Sequence, residues 1–341
     1  AARRPLLCCG GGVVLAHARD ELIAFAEKAG IPVVSTMMGL GVVPMDSPLY
    51  LGMIGMHGHA NANRAMRDAD LLLLCGARVG DRAVSDPRQV SEGTKIVHID
   101  IDPAEIGKNM DVNIPIVGDI RLVLRSLTAE VSEKAPAEWV SRVQKEKAAF
   151  TPEGVPQEGS GYVEPRSFLR ELSKMMEPDA ILCADVGQNQ IWAARNFNVK
   201  EGRFLTSGGL GTMGYALPAA IGAKLAKPGR QVVCICGDGA FQMSMCELAT
   251  LKRENLGVKI ILMQNGRLGM VWELQNKKYG GRCPATEQDG DPDFVRLAGA
   301  YGIPAVQVSG NAEAARLARE MLAQKGPSLL VCRIDPAEPT L

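Results

Sequence analysis

The sequence predicts an α/β protein made of two doubly wound parallel-sheet domains. Two observations carry this expectation. Short apolar runs at residues 5–9, 71–75, 95–99, 180–184, 231–236, 258–263 and 329–334 alternate with helix-like stretches, and strands buried on both faces read as continuous apolar runs. The length of 341 residues also suits about two domains.

Taken in order, the run 5–9 meets the glycines 10–12 and a helical pattern at 20–30, a strand-turn-helix start. The runs 71–75 and 95–99 continue the first sheet. A charged helix-like stretch at 137–150 then enters Thr-Pro-Glu-Gly-Val-Pro-Gln-Glu-Gly-Ser-Gly at 151–161, whose composition reads as a linker. The expected division is a nucleotide-binding-like domain at 1–130, a linker at 131–162 and a second domain at 163–341. The remaining four runs supply the second sheet.

Lysine plus arginine and aspartate plus glutamate both number 38, so the net charge is zero. Binders of nucleic acid or anionic membranes usually carry a basic patch, so neither partner is expected. No apolar run reaches the roughly 18 residues that cross a bilayer, and Arg3-Arg4 leads into glycines without the apolar core of a signal peptide. The nine cysteines follow no metal spacing, and Cys183, Cys234, Cys236 and Cys332 lie in apolar runs; a reducing cytoplasm is expected. Cys234 and Cys236 flank Ile235 and read as two buried positions on one strand face, not a redox pair.

The richest stretch is Gly237-Asp-Gly239 after the run 231–236, with Asn265 placed 27 residues after Asp238, at the end of the next run. One strand-helix-strand crossover separates the two side chains, so both reach the crevice beyond the strand ends where α/β sheets bind ligands. A carboxylate, an amide oxygen and a nearby carbonyl suit Mg²⁺, usually held by a few protein oxygens plus phosphates. Gly237 and Gly239 let a diphosphate approach the backbone, and a helix expected from near Ala240 would aim amides at it. Gly-Asp-Gly alone is also common turn chemistry.

In the first half, glycines 10–12 between an apolar run and a helix make a phosphate-binding arrangement, though the spacing is not the full dinucleotide fingerprint. Asp100 follows the run 95–99, where a ribose hydroxyl could donate to it. His57-Gly-His59 lacks a third ligand nearby for a metal site.

The Gly-Asp-Gly and Asn pair resembles the diphosphate and metal motif of thiamine diphosphate (ThDP) enzymes. Thr206-Ser-Gly-Gly-Leu-Gly-Thr-Met-Gly-Tyr-Ala-Leu-Pro-Ala-Ala-Ile-Gly-Ala223 and Leu268-Gly-Met-Val271 resemble the large catalytic subunit of acetolactate synthase, also called acetohydroxyacid synthase. Five words of the first half resemble that family's FAD-binding middle domain: Thr36-Met-Met-Gly-Leu-Gly41, Gly55-Met-His-Gly58, Gly76-Ala-Arg-Val-Gly-Asp-Arg82, Asp100-Ile-Asp-Pro-Ala-Glu-Ile-Gly107 and Val117-Gly-Asp119. The likeness runs from Gly10 to about Ile334.

The resemblance implies that Asp238, Asn265 and the carbonyl of Arg267 bind Mg²⁺. Gly187, Gln188, Asn189 and Gly211, with Gly237, Gly239 and Ala240, would line the diphosphate end of ThDP. Met213 would wedge beneath the bend of the cofactor, although Met is often ordinary core filler, and Met270 and Val271 would cover the thiazolium. For a non-redox FAD it implies Gly11, Gly12, Thr36, Met56 and His57, then Gly76, Arg78, Arg82, Asp100, Ile101 and Asp119, with Arg78 as the cationic fork for the flavin diphosphate.

The implied reaction joins the two-carbon unit of decarboxylated pyruvate to a second 2-keto acid, giving 2-acetolactate on the branched-chain amino-acid route. Homodimers or tetramers, and a small regulatory subunit, are implied partners. The family glutamate that activates the cofactor lies on an N-terminal domain that precedes the matching region, so no catalytic acid or base is assigned here and no turnover by this chain alone is expected. Three departures stand out: Asn189 where the family has His, Gly80 where it has Asp, and Leu274 where a Trp favours 2-ketobutyrate. Leu274 points to pyruvate as acceptor. Rival readings are another ThDP carboligase or decarboxylase, such as a glyoxylate or sulfoacetaldehyde enzyme, and a non-catalytic cofactor-binding module.

Overall fold

The computed structural model describes residues 2–149, 154–157, 159–288 and 290–341. The chain divides into two compact units, 1–152 and 153–341. The first holds strands β1 (Pro5–Cys9), β2 (Val33–Ser35), β3 (Tyr50–Met53), β4 (Leu71–Cys75), β5 (Lys95–Asp100) and β6 (Ile114–Val117). They form one parallel sheet in the order β3-β2-β1-β4-β5-β6. The chain winds outward in one direction from β1 and in the other from β4, so the crevice between their tips is the topological switch point.

Alternate residues of β1 to β5 feed two cores. Leu6, Cys8, Leu72, Leu74 and Ile96 pack on one face beneath the helices Ala60–Asp68 and Ala137–Ala148. Leu7, Cys9, Leu73, Cys75 and Ile99 pack on the other beneath Arg19–Ala29 and Ile120–Glu130. This double burial explains the unbroken apolar runs. The stretch from 131 that reads as linker is different up to Ala148. Trp139 and Val143 lie in the first unit's core, and the Trp139 indole N–H donates to the Pro5 carbonyl at 2.9 Å. A helix with a buried apolar face belongs to the body it packs on. Of the expected linker, residues 150–153 and 158 lie outside the described residues.

The second unit holds β7 (Ile181–Ala184), β8 (Arg203–Leu205), β9 (Val232–Gly237), β10 (Val258–Gln264), β11 (Ala305–Val308) and β12 (Ser328–Arg333). The sheet is again parallel, in the order β11-β12-β10-β9-β7-β8. Cys183, Cys234, Cys236, Ile260 and Leu262 anchor one face. All nine cysteines are free thiols, seven of them buried. Here the switch point lies between β7 and β9, beside β10.

Candidate functional site

The register that pairs Met263 with Gly237 sets the tips of β9 and β10 side by side. The helix after β9 starts at Asp238, two residues earlier than the sequence suggests, and runs only to Gln242. Asp238 is 2% exposed. Its Oδ2 accepts from the backbone N–H groups of Asn265 at 2.8 Å and Gly266 at 2.7 Å, and Oδ1 accepts from Gly239 N–H at 2.9 Å. Burial pushes this carboxyl up to about 6; the Gly266 N–H pulls it back, and neighbouring Asp291 adds repulsion. A carboxylate has about four lone-pair sites, so three backbone donors leave capacity on Oδ1.

Asn265 is oriented by a relay. Its Nδ2 donates to Gln188 Oε1 at 2.9 Å, while Gln188 Nε2 donates to the Glu338 carbonyl at 2.8 Å and to Glu273 Oε1 at 3.3 Å. The amide oxygen of Asn265 therefore turns the other way, where it accepts from Arg267 N–H at 3.2 Å. The Arg267 carbonyl accepts from Gly269 N–H at 2.9 Å, and among the described residues no second donor reaches it, which leaves a lone pair. The Arg267 guanidinium stacks over Trp272, 4.6 Å from the ring centroid.

Asn189, which stands where the resemblance expects histidine, donates through Nδ2 to the carbonyls of Asp185 at 2.8 Å and Ile235 at 3.4 Å. What it turns towards Gly187 and Gly237 is Oδ1, an acceptor. Gly187 has φ 143°, and a Cβ there would meet that oxygen at 2.7 Å, so glycine is required. Ala240 is buried in the short helix, Gly211 is exposed and Met213 half-buried. On the helix Gly269–Lys278, Met270 is half-buried while Val271 and Leu274 are exposed.

Four residues of this neighbourhood escaped the sequence reading. Asp185 directly follows β7, and its carboxylate accepts from Gly214 and Ala216 N–H at the end of the 206–216 loop. Gln242 donates to Asp291 Oδ1 at 2.9 Å. Gln288 Nε2 lies against Gly239, 2.5 Å from where a Cβ would sit. Among the described residues, Asp291 Oδ2 and Gln288 Oε1 are buried oxygens with no hydrogen-bond partner. Only Asp185 carried a signal, a carboxylate directly after an apolar run.

This chemistry fits a divalent cation. Two neighbouring carboxyls and orphaned acceptor oxygens stand together with little positive charge to balance them, an arrangement that burial alone disfavours. Among the described residues no three His, Cys, Asp or Glu side chains form a metal cluster, so a cation here would rest on the single Asp238 carboxylate together with amide and carbonyl oxygens and a diphosphate.

In the first unit the expected residues gather at the carboxyl ends of the strands. Gly12 and Gly76 do so by packing on each other. Gly12 N–H donates to the Gly76 carbonyl at 3.0 Å, and a Cβ on Gly12 would lie 2.7 Å from Gly76 Cα. Gly11 faces Met38, and Thr36 N–H donates to the Cys9 carbonyl at 3.0 Å. Asp119 caps a helix, its Oδ1 accepting from Arg121 and Leu122 N–H. His57 is half-buried, and His59 Nδ1 accepts from Met53 N–H at 3.1 Å. Arg78 and Arg82 are exposed, Asp100 is half-buried, and Ile101 and Met56 leave 73% and 52% of their surface open. Buried Val79 holds φ 48° beside Arg78, a strained conformation for a β-branched residue. Exposed apolar groups, two guanidinium groups and a carboxylate at the carboxyl end of the sheet fit a ligand with a flat apolar part, a ribose and a diphosphate.

Comparison with known families agrees with this layout. Residues 1–127 match the central domain of thiamine pyrophosphate enzymes, and residues 185–332 match their C-terminal TPP binding domain. The chain belongs to the thiamine pyrophosphate enzyme family. It is similar to the probable acetolactate synthase large subunit of Methanocaldococcus jannaschii, 42% identical over 99% of this chain and 58% of that protein. It is also similar to the acetolactate synthase large subunit of Corynebacterium glutamicum, 46% identical over 90% of this chain and 51% of that protein. A third relative is the acetolactate synthase isozyme 1 large subunit of Escherichia coli strain K12, 40% identical over 99% of this chain and 60% of that protein. The chain thus spans about half to three fifths of these curated relatives. Asp238 and Asn265 lie inside the TPP-binding match. Among the described residues no helix is long and apolar enough to cross a membrane.

Proposed function

We propose that this chain forms the FAD-binding-like middle domain and the ThDP-binding C-terminal domain of an acetolactate synthase. The middle domain runs to the end of the helix Ala137–Ala148, and the C-terminal domain starts near residue 163. The observation that carries this reading is the Asp238 carboxylate shared between the tips of β9 and β10. Asp238, Asn265 and the Arg267 carbonyl would hold Mg²⁺, which in turn anchors the cofactor's diphosphate. Gly187, Gly211, Gly237 and Gly239 leave room for that diphosphate, with Gln188 and Ala240 beside it.

Bound ThDP would supply the electron sink for loss of CO₂ from a 2-keto acid. The chain's own residues bind and orient. Asp238 fixes both strand tips, Gln188 turns the Asn265 amide, and Met213, Met270 and Val271 offer apolar cover. Leu274, exposed on its helix, favours pyruvate as the acceptor. Gly11, Gly12, Thr36, Met56, His57 and Gly76, with Arg78, Arg82, Asp100, Ile101 and Asp119, belong to a non-redox FAD site. Homo-oligomers, a regulatory subunit and a cytoplasmic setting complete the reading. The test is to assay the protein that carries this chain with Mg²⁺, ThDP and pyruvate. Formation of 2-acetolactate is expected; turnover of glyoxylate or sulfoacetaldehyde without it would assign a different carboligase.

A further inference from the structure

The loop at 206–216 carries Met213 and is tied at both ends to consecutive residues at the tip of β7. At its start, the Thr206 hydroxyl donates to the Ala184 carbonyl at 2.8 Å, and Gln190 Nε2 lies 2.6 Å from the same hydroxyl. At its end, the Asp185 carboxylate accepts from Gly214 N–H at 3.0 Å and Ala216 N–H at 2.8 Å, as well as from its neighbour Val186 at 2.8 Å. Asp185 is 1% exposed. A buried carboxylate without a cation is costly, and burial raises this one despite its backbone donors. Inside the loop, Gly211 N–H reaches the Ser207 carbonyl at 3.1 Å and Thr212 N–H reaches Ser207 Oγ at 3.0 Å. Met213 therefore sits on a short span with closed internal bonds and two fixed ends. Gly214, next to it, has φ 83° and faces the short helix of Asp238: a Cβ there would lie 3.0 Å from Met243 Cβ and 3.8 Å from the Ala240 carbonyl oxygen.

We infer that Asp185 is a positioning residue that holds the Met213 wedge at a fixed height above the Gly-Asp-Gly turn, so that it sets affinity for the thiamine part of the cofactor but not for its diphosphate. This rests on the ThDP reading of the site. Among the described residues the Asp185 carboxylate shares no hydrogen bond with Asp238 or Asn265; its side chain accepts from its neighbour Val186 and from Gly214 and Ala216 at the end of the loop. Its negative charge suits the role because an ionised carboxylate accepts several N–H groups at once, whereas an amide presents one oxygen and adds donors that repel them.

The test is a double-mutant cycle on Asp185→Asn and Met213→Ala, with two calorimetric probes, Mg²⁺·pyrophosphate and Mg²⁺·ThDP. Asp185→Asn is expected to leave pyrophosphate affinity within about twofold and to weaken ThDP about tenfold, the scale of a lost hydrogen bond to a charged group. Met213→Ala should weaken ThDP similarly, and the double variant no further, because the two changes remove one device. If Asp185→Asn does not fold, Gly214→Ala displaces the same loop and should give the same selective loss. Equal weakening of both probes, or additive losses in the double variant, would overturn the inference. A wild-type chain that binds neither probe overturns the ThDP reading along with it, whereas one that binds both while the cycle is additive overturns the inference alone.

Discussion

Asp238 Oδ2 accepts the backbone N–H of Asn265 at 2.8 Å, so one carboxylate links the tips of two adjacent strands. The bond orders the backbone of a candidate metal-binding residue before any cation arrives. It also explains why an acid is tolerated at 2% exposure, since three backbone donors replace its lost water.

Asp238→Ala should therefore destabilise the second unit even without cofactor. The N–H groups of Asn265, Gly266 and Gly239 lose their acceptor, and each buried donor left unpaired costs about 1–3 kcal/mol. Urea unfolding reads the loss. A variant as stable as the wild type would mean that these amides find other partners.

Trp139→Ala tests whether the helix at 137–148 belongs to the first unit. The indole is 3% exposed and bonded to the first strand, and large-to-small changes of this kind cost about 3–5 kcal/mol. A loss of that size in the first unit's urea midpoint is expected; a change under about 0.5 kcal/mol, typical of surface sites, would return the helix to the linker.

Gly12→Ala should destabilise the first unit by about 1–3 kcal/mol, the usual penalty of overpacking. The new methyl meets backbone at Gly76 Cα, 2.7 Å away, which cannot swing aside as a side chain would. Differential scanning calorimetry checks it, and an unchanged transition would show that the two turns can separate freely.

Lys259 gives a pH signature. Burial, and then the charge of Lys224, lowers its ammonium from the ordinary 10.5 to about 8, while Nζ donates to the carbonyls of Gln324 and Gly326 at 2.9 and 2.7 Å. Between those pH values the unfolded chain binds more protons than the folded one, so this residue's contribution to stability rises with pH across the window and is flat below about 8. Comparing Lys259→Met with wild type across that range isolates it: the gap between the two stability curves should change between pH 8 and 10.5, and parallel curves would refute the assignment.

The central strands were legible because both faces are buried. The runs at 5–9 and 71–75 coincide with β1 and β4, and the runs at 95–99, 180–184, 231–236, 258–263 and 329–334 fall within a residue of their strands. The short strands β2, β3, β6, β8 and β11 have fewer positions over which to show a pattern. Ile114 and Val117 of β6, at a sheet edge, are even exposed. Trp139 and Val143 were hidden for a related reason: two apolar residues among many charges hold a helix to a core without making it look apolar. At the site, Asp238 and Asn265 could be paired from strand-end spacing. Asn189 could not be assigned, because which end of its amide faces the crevice depends on carbonyls at Asp185 and Ile235, brought there by the sheet. Gln288 and Asp291 lie in a glycine-rich stretch without periodicity, and only the folded loop brings them to Asp238.

The most direct measurement is the electron paramagnetic resonance of Mn²⁺ titrated with the chain in the presence of ThDP. The free-ion signal should fall with one site per chain, and Asp238→Asn should return it to the level seen without protein. Equal Mn²⁺ uptake by the Asp238→Asn variant and the wild type, or no uptake by either, would contradict a cation held jointly at the tips of β9 and β10.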